Sequence, residues 1–370
     1  MIYLDNSATT KQHPQVTEEM LSCMTNNFGN PSSLYSLGIA AEKTVKESRK
    51  KLLKAVGMQG EFYFTSGGTE ADSMAIFGAA AARKRRGNRI ITSKVEHPAV
   101  LEACRRLEEQ GFEVIYIGVD EKCRLNMEQL AQAVTEDTIL ITIMQVNNET
   151  GTIMPIDAIS EKKQNALLHT DSVQAFGKIE LAQKADMISI SGHKIHGPKG
   201  IGGLWVRKGV HIKPFLVGGG QEMGMRSGTE NVPAIAGLGA AAEMCEQESS
   251  TAQVRNYLLE SLKAEIKDIR INSPQDGCPA VLNISFLGTR GEVLLHTLEQ
   301  DGIYVSTGSA CSSNKKGQSH VLKAMGLSDK EIEGAIRFSF SRYNTVEEMD
   351  IVADKVKDAV RRFRRLGSFR

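Results

Sequence analysis

Residues 189–206 read SISGHKIHGPKGIGGLWV and place Lys194 in a glycine-rich turn between two predicted strands. The spacing of Gly192 and Gly197 is that of a nucleotide-binding P-loop, whose backbone cradles phosphate. Pro198 stands where that loop requires a lysine, and no serine or threonine follows it. The P-loop interpretation therefore fails, and a lysine bordered by apolar strands needs a different chemical explanation.

The two histidines around this lysine do not form a zinc site either. His193 and His196 offer two nitrogen ligands, but no cysteine, aspartate or glutamate lies nearby in the sequence to complete a tetrahedron. The turn therefore predicts no metal site.

The composition is that of a globular enzyme of about two domains. The chain has 370 residues, of which 41% are apolar and 5% aromatic. Lys+Arg 45 against Asp+Glu 44 leaves a net charge of +1, which gives no general attraction to nucleic acid or anionic membranes. The first residues, MIYLDNSATT, lack a signal-peptide pattern, and no apolar run approaches the roughly 18 residues of a membrane helix. We therefore expect a cytoplasmic protein with no nucleic-acid or membrane partner.

Short β-rich runs alternate with helical patterns between residues 62 and 206. The runs are FYFTS, NRIITS, EVIYIG, TILITIMQV, ALLHT, DMISIS and IGGLWV. This alternation predicts an α/β fold with a mostly parallel sheet. From about Thr251 a polar helix, the run AVLNISF and further helices indicate a second, smaller α+β domain. We expect a large domain at 13–250 and a small domain at 1–12 and 251–370.

Polar residues follow several of these runs. Ligands of open α/β sheets bind beyond the carboxyl ends of the strands, so such residues are candidates for a site. FYF is followed by TSGGTE, a glycine turn that opens a helix and presents free N–H groups to a phosphate. Later runs are followed by His97, by Asn147 and Asn148, by Asp171 with Gln174, and by Lys194. Each has a structural explanation when taken singly, but their joint placement indicates one site.

These residue types match the requirements of pyridoxal phosphate. That cofactor needs a lysine for a Schiff base, a carboxylate at the pyridine nitrogen, a flat group over the ring, a donor to the phenolic oxygen and a phosphate cradle. For the first four roles we predict, in this order, Lys194, Asp171, His97 and Gln174. The predicted phosphate ligands are Gly68, Thr69, Ser191 and His193.

Ten strings distributed along the chain resemble the cysteine desulfurases of the class V aminotransferase family, in the NifS/IscS-like branch. They are YLDNSATT, GNPSS, FTSGGTEAD, EHPAV, VNNETG, TDSVQ, SGHKIHGPKG, GGGQEMGMRSGT, STGSACSS and IRFSFSR. The resemblance implies a type I pyridoxal-phosphate-dependent transferase fold, a homodimer, and conversion of L-cysteine to L-alanine with release of sulfur.

The same resemblance assigns further residues to the site. It implies that Thr229 reaches the phosphate of the neighbouring subunit's cofactor, that Asn148 lies near the phenolic oxygen and substrate, and that Arg337 pairs with the substrate carboxylate. A bidentate guanidinium suits that last role.

Cys311 is the predicted sulfur-accepting thiol. The six cysteines, at 23, 104, 123, 245, 278 and 311, include no CxxC pair, so we expect free thiols. Only Cys311 stands in a Gly/Ser-rich segment, STGSACSSNKKGQS, for which we predict a mobile loop of the small domain; the two lysines in it favour thiolate. We expect Lys194 to remove the substrate Cα proton and Cys311 to take the sulfur as a persulfide.

Some features leave alternatives open. His196 and the histidine of SHVL stand where the family often has tyrosine, and the chain ends at RRFRRLGSFR without the extension with which longer members engage an iron–sulfur scaffold. The sulfur acceptor is therefore expected to be either an iron–sulfur scaffold or an enzyme of tRNA thiolation or thiamine synthesis. A selenocysteine lyase and a class V aminotransferase remain alternative functions.

Overall fold

The computed structural model describes residues 1–245, 249–308, 318–365 and Gly367. The strands are β1 (Ile2–Tyr3), β2 (Gly60–Thr65), β3 (Arg89–Ser93), β4 (Glu113–Ile117), β5 (Thr138–Thr142), β6 (Leu167–Asp171), β7 (Met187–Ser191), β8 (Gly202–Arg207), β9 (Ile269–Ile271), β10 (Val281–Phe286), β11 (Ile303–Tyr304) and β12 (Ala335–Ser339). The α-helices are α1 (Pro14–Thr25), α2 (Ser36–Val56), α3 (Gly68–Arg83), α4 (Pro98–Glu109), α5 (Met127–Ala133), α6 (Ile156–Lys162), α7 (Val232–Glu243), α8 (Ser249–Glu265), α9 (Gly291–Gln300), α10 (His320–Ala324), α11 (Asp329–Glu333) and α12 (Val346–Arg365).

The main sheet has seven strands in the order β2-β8-β7-β6-β5-β3-β4. Strand β8 is antiparallel to β2 and β7, and the other neighbouring pairs are parallel. Every run predicted between residues 62 and 206 contributes a strand, so the mostly parallel α/β sheet is confirmed. The central parallel strands β5, β6 and β7 are buried along their whole length, as expected for a sheet covered on both faces, whereas most residues of the edge strand β4 are partly exposed.

Strand β5 is shorter than the run TILITIMQV suggested. It ends at Thr142, the last of its residues paired with both neighbours, where it lies opposite Thr92 of β3 and His169 of β6. The backbone N–H of Met144 instead donates to the carboxyl group of Glu96 at 2.9 Å. The chain therefore leaves the sheet before Val146, and Asn148 follows in a turn rather than at a strand end.

A second core lies on smaller sheets. Strands β12-β10-β9 form an antiparallel sheet, and β1 pairs in parallel with β11. A buried apolar cluster surrounds these sheets. It consists of Ile2, Leu4 and apolar residues between Val254 and Val360. This membership supports the proposed domain division, although Leu322 of α10 packs into the core of the main sheet.

None of the described helices combines the length and the apolar character needed to cross a membrane.

A buried histidine joins three strands of the main sheet. His169 lies in β6; its Nδ1 is 2.8 Å from Thr142 Oγ1 in β5, and its Nε2 is 2.9 Å from Ser189 Oγ in β7. Burial of the ring lowers the pKa of His169 to about 3. The imidazole is therefore neutral in the folded protein and fixes the relative position of the strand ends.

We expect His169→Gln to reduce the loss of stability in acid. The folded-state pKa of His169 is depressed below its ordinary value of 6.5, so between about pH 6.5 and 3 the unfolded chain binds more protons and stability falls as pH falls. Between pH 7 and pH 5 this group should remove about 2 kcal/mol of unfolding free energy.

Urea unfolding at pH 7 and at pH 5 measures this loss of unfolding free energy, and substitution of the exposed His211 by Gln serves as control. The His169→Gln variant should lose about 2 kcal/mol less than the unsubstituted protein over that interval. An equal loss in both proteins would contradict the assigned role.

Candidate active site

One cavity of about 160 Å³ gathers most of the predicted site residues at the carboxyl ends of the parallel strands. Those that line it are Gly68, Thr69, His97, Asn148, Asp171, Gln174, Ser191, His193, Lys194 and Arg337. Thr229 does not; it lies in a separate cavity with Ser66 and Gly200. Cys311 lies outside the described residues.

Lys194 ends a short 3₁₀ turn that begins directly after β7. Its side chain is 8% exposed, and Nζ donates hydrogen bonds to the carbonyl oxygens of Ser7 at 2.5 Å and Ala8 at 2.8 Å. A buried ammonium group needs such acceptors, because leaving it unpaired away from water is costly. The amine is thus held against the segment that precedes α1.

Asp171 is the last residue of β6, and its carboxylate accepts a hydrogen bond from the N–H of Val173 at 2.9 Å. Burial raises the pKa of Asp171, while the charges of His97 and Lys194 act in the opposite direction. Gln174 follows one turn later; its amide donates to Ser7 O at 2.9 Å. The predicted carboxylate and amide therefore lie in one cavity with the lysine.

His97 is the N-cap of α4, and its Nδ1 accepts a hydrogen bond from the N–H of Ala99 at 3.1 Å. Burial is the main cause that lowers the pKa of His97; the charge of Asp171 opposes it, and those of Lys194 and His320 add to it. An accepting Nδ1 on a neutral ring leaves the proton on Nε2. The ring is therefore a flat, uncharged group with one N–H donor.

The predicted phosphate ligands lie at the amino end of α3 and in the turn before Lys194. A Cβ at Gly68 would lie 2.7 Å from Val173 Cγ2, so a glycine is needed for this helix to begin so close to the turn after β6. His193 is half-buried with Nδ1 3.2 Å from Thr9 Oγ1. Burial and then the Lys194 charge lower the pKa of His193 to about 4. A helix amino end with free N–H groups favours an anion.

Arg337, in β12, is already engaged at both terminal nitrogens. Nη2 donates to Asp5 Oδ1 at 2.7 Å and Nη1 donates to the carbonyl oxygen of Asn148 at 3.0 Å, whereas the buried Nε has no hydrogen-bond partner among the described residues. Each terminal nitrogen carries two N–H groups, so the guanidinium still has donors for the carboxylate contact expected from the sequence, and Nε–H is wholly unused.

Sequence reasoning missed several residues of the cavity wall, above all Ser7 and Asp72. Asp72 stands three residues, or one helical turn, after Thr69 on α3, so this spacing could have identified it as a residue on the same face of the helix. Burial, followed by the charge of Asp171, raises the pKa of Asp72 well above its usual value. Ser7 gave no signal, because it belongs to no strand end of the main sheet.

The cavity wall fits pyridoxal phosphate. Three buried polar atoms of residues that line it have no hydrogen-bond partner within the described part of the chain: Ser7 Oγ, Asp72 Oδ1 and Arg337 Nε. Buried polar groups in native proteins are almost always hydrogen-bonded, so these atoms indicate a polar ligand. The same wall contains a lysine, a buried carboxyl group, a neutral imidazole and a helix amino end, which is the donor set this cofactor requires.

Comparison with known proteins gives a consistent result. The model of the family "Aminotransferase class-V" matches residues 2–352. A protein of Clostridium botulinum named "Cysteine desulfurase IscS" is 42% identical over 99% of this chain and 96% of its own length. A solved structure described as "NIFS-LIKE PROTEIN" is 38% identical, with a TM-score of 0.90 over 97% of this chain and 99% of that chain. Another, "SspA in complex with cysteine", is 33% identical, with a TM-score of 0.84 over 93% and 100%.

The likeness extends over nearly the whole chain, and the architecture is that of the type I fold. Pyridoxal phosphate is the cofactor of the matched family, as the strand-end residues had indicated. The chain belongs to the class V aminotransferase family and, within it, to the cysteine desulfurases.

Proposed function

We propose that this protein is a cysteine desulfurase that converts L-cysteine to L-alanine and receives the sulfur on Cys311 as a persulfide. The observation that carries the proposal is the convergence of Lys194, Asp171 and Arg337 on one cavity. This combination provides an amine, a carboxylate for a ring nitrogen and a guanidinium for an amino-acid carboxylate. The solved structure of SspA is a complex with cysteine, which supports L-cysteine as the substrate class.

The cofactor would be held by residues of several elements. Gly68, Thr69, Ser191 and His193 would bind its phosphate, Asp171 its ring nitrogen, Gln174 and Asn148 its phenolic oxygen, and His97 the face of its ring. When bound, pyridoxal phosphate supplies an electron sink for the carbon that loses its proton.

Lys194 would move that proton. In the structure Nζ donates to the carbonyl oxygens of Ser7 and Ala8, so its position is fixed by backbone atoms rather than by a mobile side chain. A lysine acts as a base only when its amine is neutral, and the carbonyl groups hold Nζ in place while it binds and releases a proton. The neutral imidazole of His97 adds no positive charge beside it.

The sulfur step balances without an external oxidant. The Cys311 thiolate attacks the substrate Sγ, the S–S bond forms, and the electrons of the broken C–S bond remain on carbon, which then takes up a proton. L-cysteine and an enzyme thiol thus give L-alanine and an enzyme persulfide.

The described cysteines are poorly suited to this step. Cys104 and Cys123 are fully buried, and burial raises the pKa of each to about 12. Cys245 is only half-buried, but its Sγ points to the carbonyl oxygen of Ala241 at 3.4 Å. Because the thiolate is the nucleophilic form, the raised pKa makes Cys104 and Cys123 poor nucleophiles. Cys311 follows the cavity residue Gly308 by three positions in the sequence.

A homodimer with shared active sites completes the proposal. Large apolar side chains are exposed around the start of α2 and near residue 217; Leu34 is 94% exposed and Val217 78%. Exposed apolar surface of this extent is typical of an interface. Thr229 lies apart from the cavity of its own chain, which suits a residue that contributes to the partner's phosphate site. The sulfur acceptor would be an iron–sulfur scaffold or a thiolation enzyme in the cytoplasm.

Borohydride treatment of the cofactor-loaded protein should attach the pyridoxyl group to Lys194, because its amine is the one that lies in the cavity. Peptide mapping by mass spectrometry identifies the labelled lysine, and the exposed Lys199 in the same turn serves as internal control. A label on Lys199, or a protein that takes up no cofactor, would exclude the assignment.

Cys311→Ala should retain cofactor binding and the absorbance change on addition of L-cysteine, because those steps need only the residues of the cavity. Alanine formation should fall by about 1000-fold or more, since a covalent nucleophile is lost. The matched variant Cys245→Ala should remain near the unsubstituted rate. Substantial desulfuration by Cys311→Ala would favour an aminotransferase or β-lyase instead.

Thr229→Val should weaken cofactor affinity by about tenfold, because a hydrogen bond to a charged phosphate is removed. Equilibrium titration of the apo-protein with pyridoxal phosphate measures this effect, with Thr297→Val on α9 as control. Light scattering should give the mass of a dimer for the unsubstituted protein and for both variants. A stable, active monomer would contradict the shared site.

A further inference from the structure

Ser7 occupies the centre of the segment between β1 and α1, and its backbone is fully engaged. Its N–H donates to Ser339 Oγ at 2.9 Å, and its carbonyl oxygen accepts from Lys194 Nζ at 2.5 Å and from Gln174 Nε2 at 2.9 Å. The residue is 3% exposed and lines the cavity. Its hydroxyl group, in contrast, is buried and has no hydrogen-bond partner among the residues that the structure describes.

The neighbouring Arg337 is in a comparable position. Its terminal nitrogens each donate one hydrogen bond, to Asp5 and to the Asn148 carbonyl, and Nε–H finds no partner in the described ranges. The ion pair with Asp5 offsets the guanidinium charge. A substrate carboxylate has two oxygens, and Nε–H can satisfy one of them. The second oxygen can accept from an unused donor on the same cavity wall.

The two unpartnered groups are brought together by the pairing of the N-terminal segment with β12. Asp5 forms an isolated bridge with Ser339, and Ser7 N bonds to the side chain of the same serine, two residues after Arg337. Ser7 Oγ and Arg337 Nε thus belong to adjacent stretches of backbone and to the wall of one cavity. A neutral hydroxyl group and a single N–H are complementary to one carboxylate.

We propose that Ser7 is a substrate-binding residue, whose hydroxyl donates to one oxygen of the substrate α-carboxylate while Arg337 Nε–H donates to the other. This inference rests on the proposed function, since the substrate must be an amino acid. Because Ser7 O also holds Lys194 Nζ, the same residue sets the distance between the carboxylate and the base. Ser7 thereby makes the site selective for an amino acid over an amine that lacks the carboxylate.

The test compares L-cysteine with cysteamine, which has the same thiol and amine but no carboxylate. Cofactor-loaded protein carrying Cys311→Ala is titrated with each ligand, and the change in visible absorbance gives the dissociation constant. Adding Ser7→Ala should weaken L-cysteine binding by about 10- to 100-fold, the range for a hydrogen bond to a charged group. Cysteamine binding and the affinity for pyridoxal phosphate should not change.

Thr170→Val is the matched control, because Thr170 Oγ1 is also buried without a partner but does not line the cavity. It should leave the dissociation constants of both ligands unchanged. Equal weakening of L-cysteine and cysteamine by Ser7→Ala, or a loss of cofactor affinity, would overturn the inference by showing that the hydroxyl serves the cofactor or the fold. If the Cys311→Ala parent itself shows no response to L-cysteine, the proposed function fails instead.

Discussion

The hydrogen bonds from Lys194 Nζ to the carbonyl oxygens of Ser7 and Ala8 are the contacts on which the site depends. They join the turn after β7 to the segment before α1, and Thr10 reinforces the junction by donating from its N–H to His193 O at 2.8 Å. A single buried amine thus donates to two backbone carbonyl groups of that segment. Without it, both would lose their charged donor at the cavity.

Three buried carboxyl groups lie in or beside this site. Asp72, Glu96 and Asp171 are all buried near one another, and burial raises the pKa of Glu96 to about 8 and that of Asp72 well above its usual value. Neighbouring carboxyl groups in a low-dielectric interior cannot all ionise. Of these three groups, Asp171 alone has the Lys194 charge beside it, and its carboxylate also accepts a hydrogen bond from the N–H of Val173. The arrangement therefore favours Asp171 as the charged partner of a ring nitrogen.

Much of the candidate site could be predicted from the sequence, because parallel strands end at a common edge of the sheet. Three predicted residues end or come after separate strands of one sheet: His97, Asp171 and Lys194. Their convergence could therefore be predicted from the strand periodicity of the sequence alone. The contribution of Ser7 could not be predicted in this way, because it depends on pairing with Ser339, more than three hundred positions away in the sequence. The engaged nitrogens of Arg337 were equally hidden, since a sequence shows the donor but not the acceptors that already hold it.

That long-range pairing also has a consequence for how the protein is made. The segment that presents Ser7 and Ala8 to the lysine is itself bound to Ser339, with Asn6 and Ser7 both bonded to that residue. During synthesis the main sheet can assemble once Arg207 has left the ribosome, but the acceptors of Lys194 are not fixed until β12 has emerged. A nascent chain thus carries its reactive amine before the pocket around it is closed, and completion of the cofactor site awaits the emergence of β12.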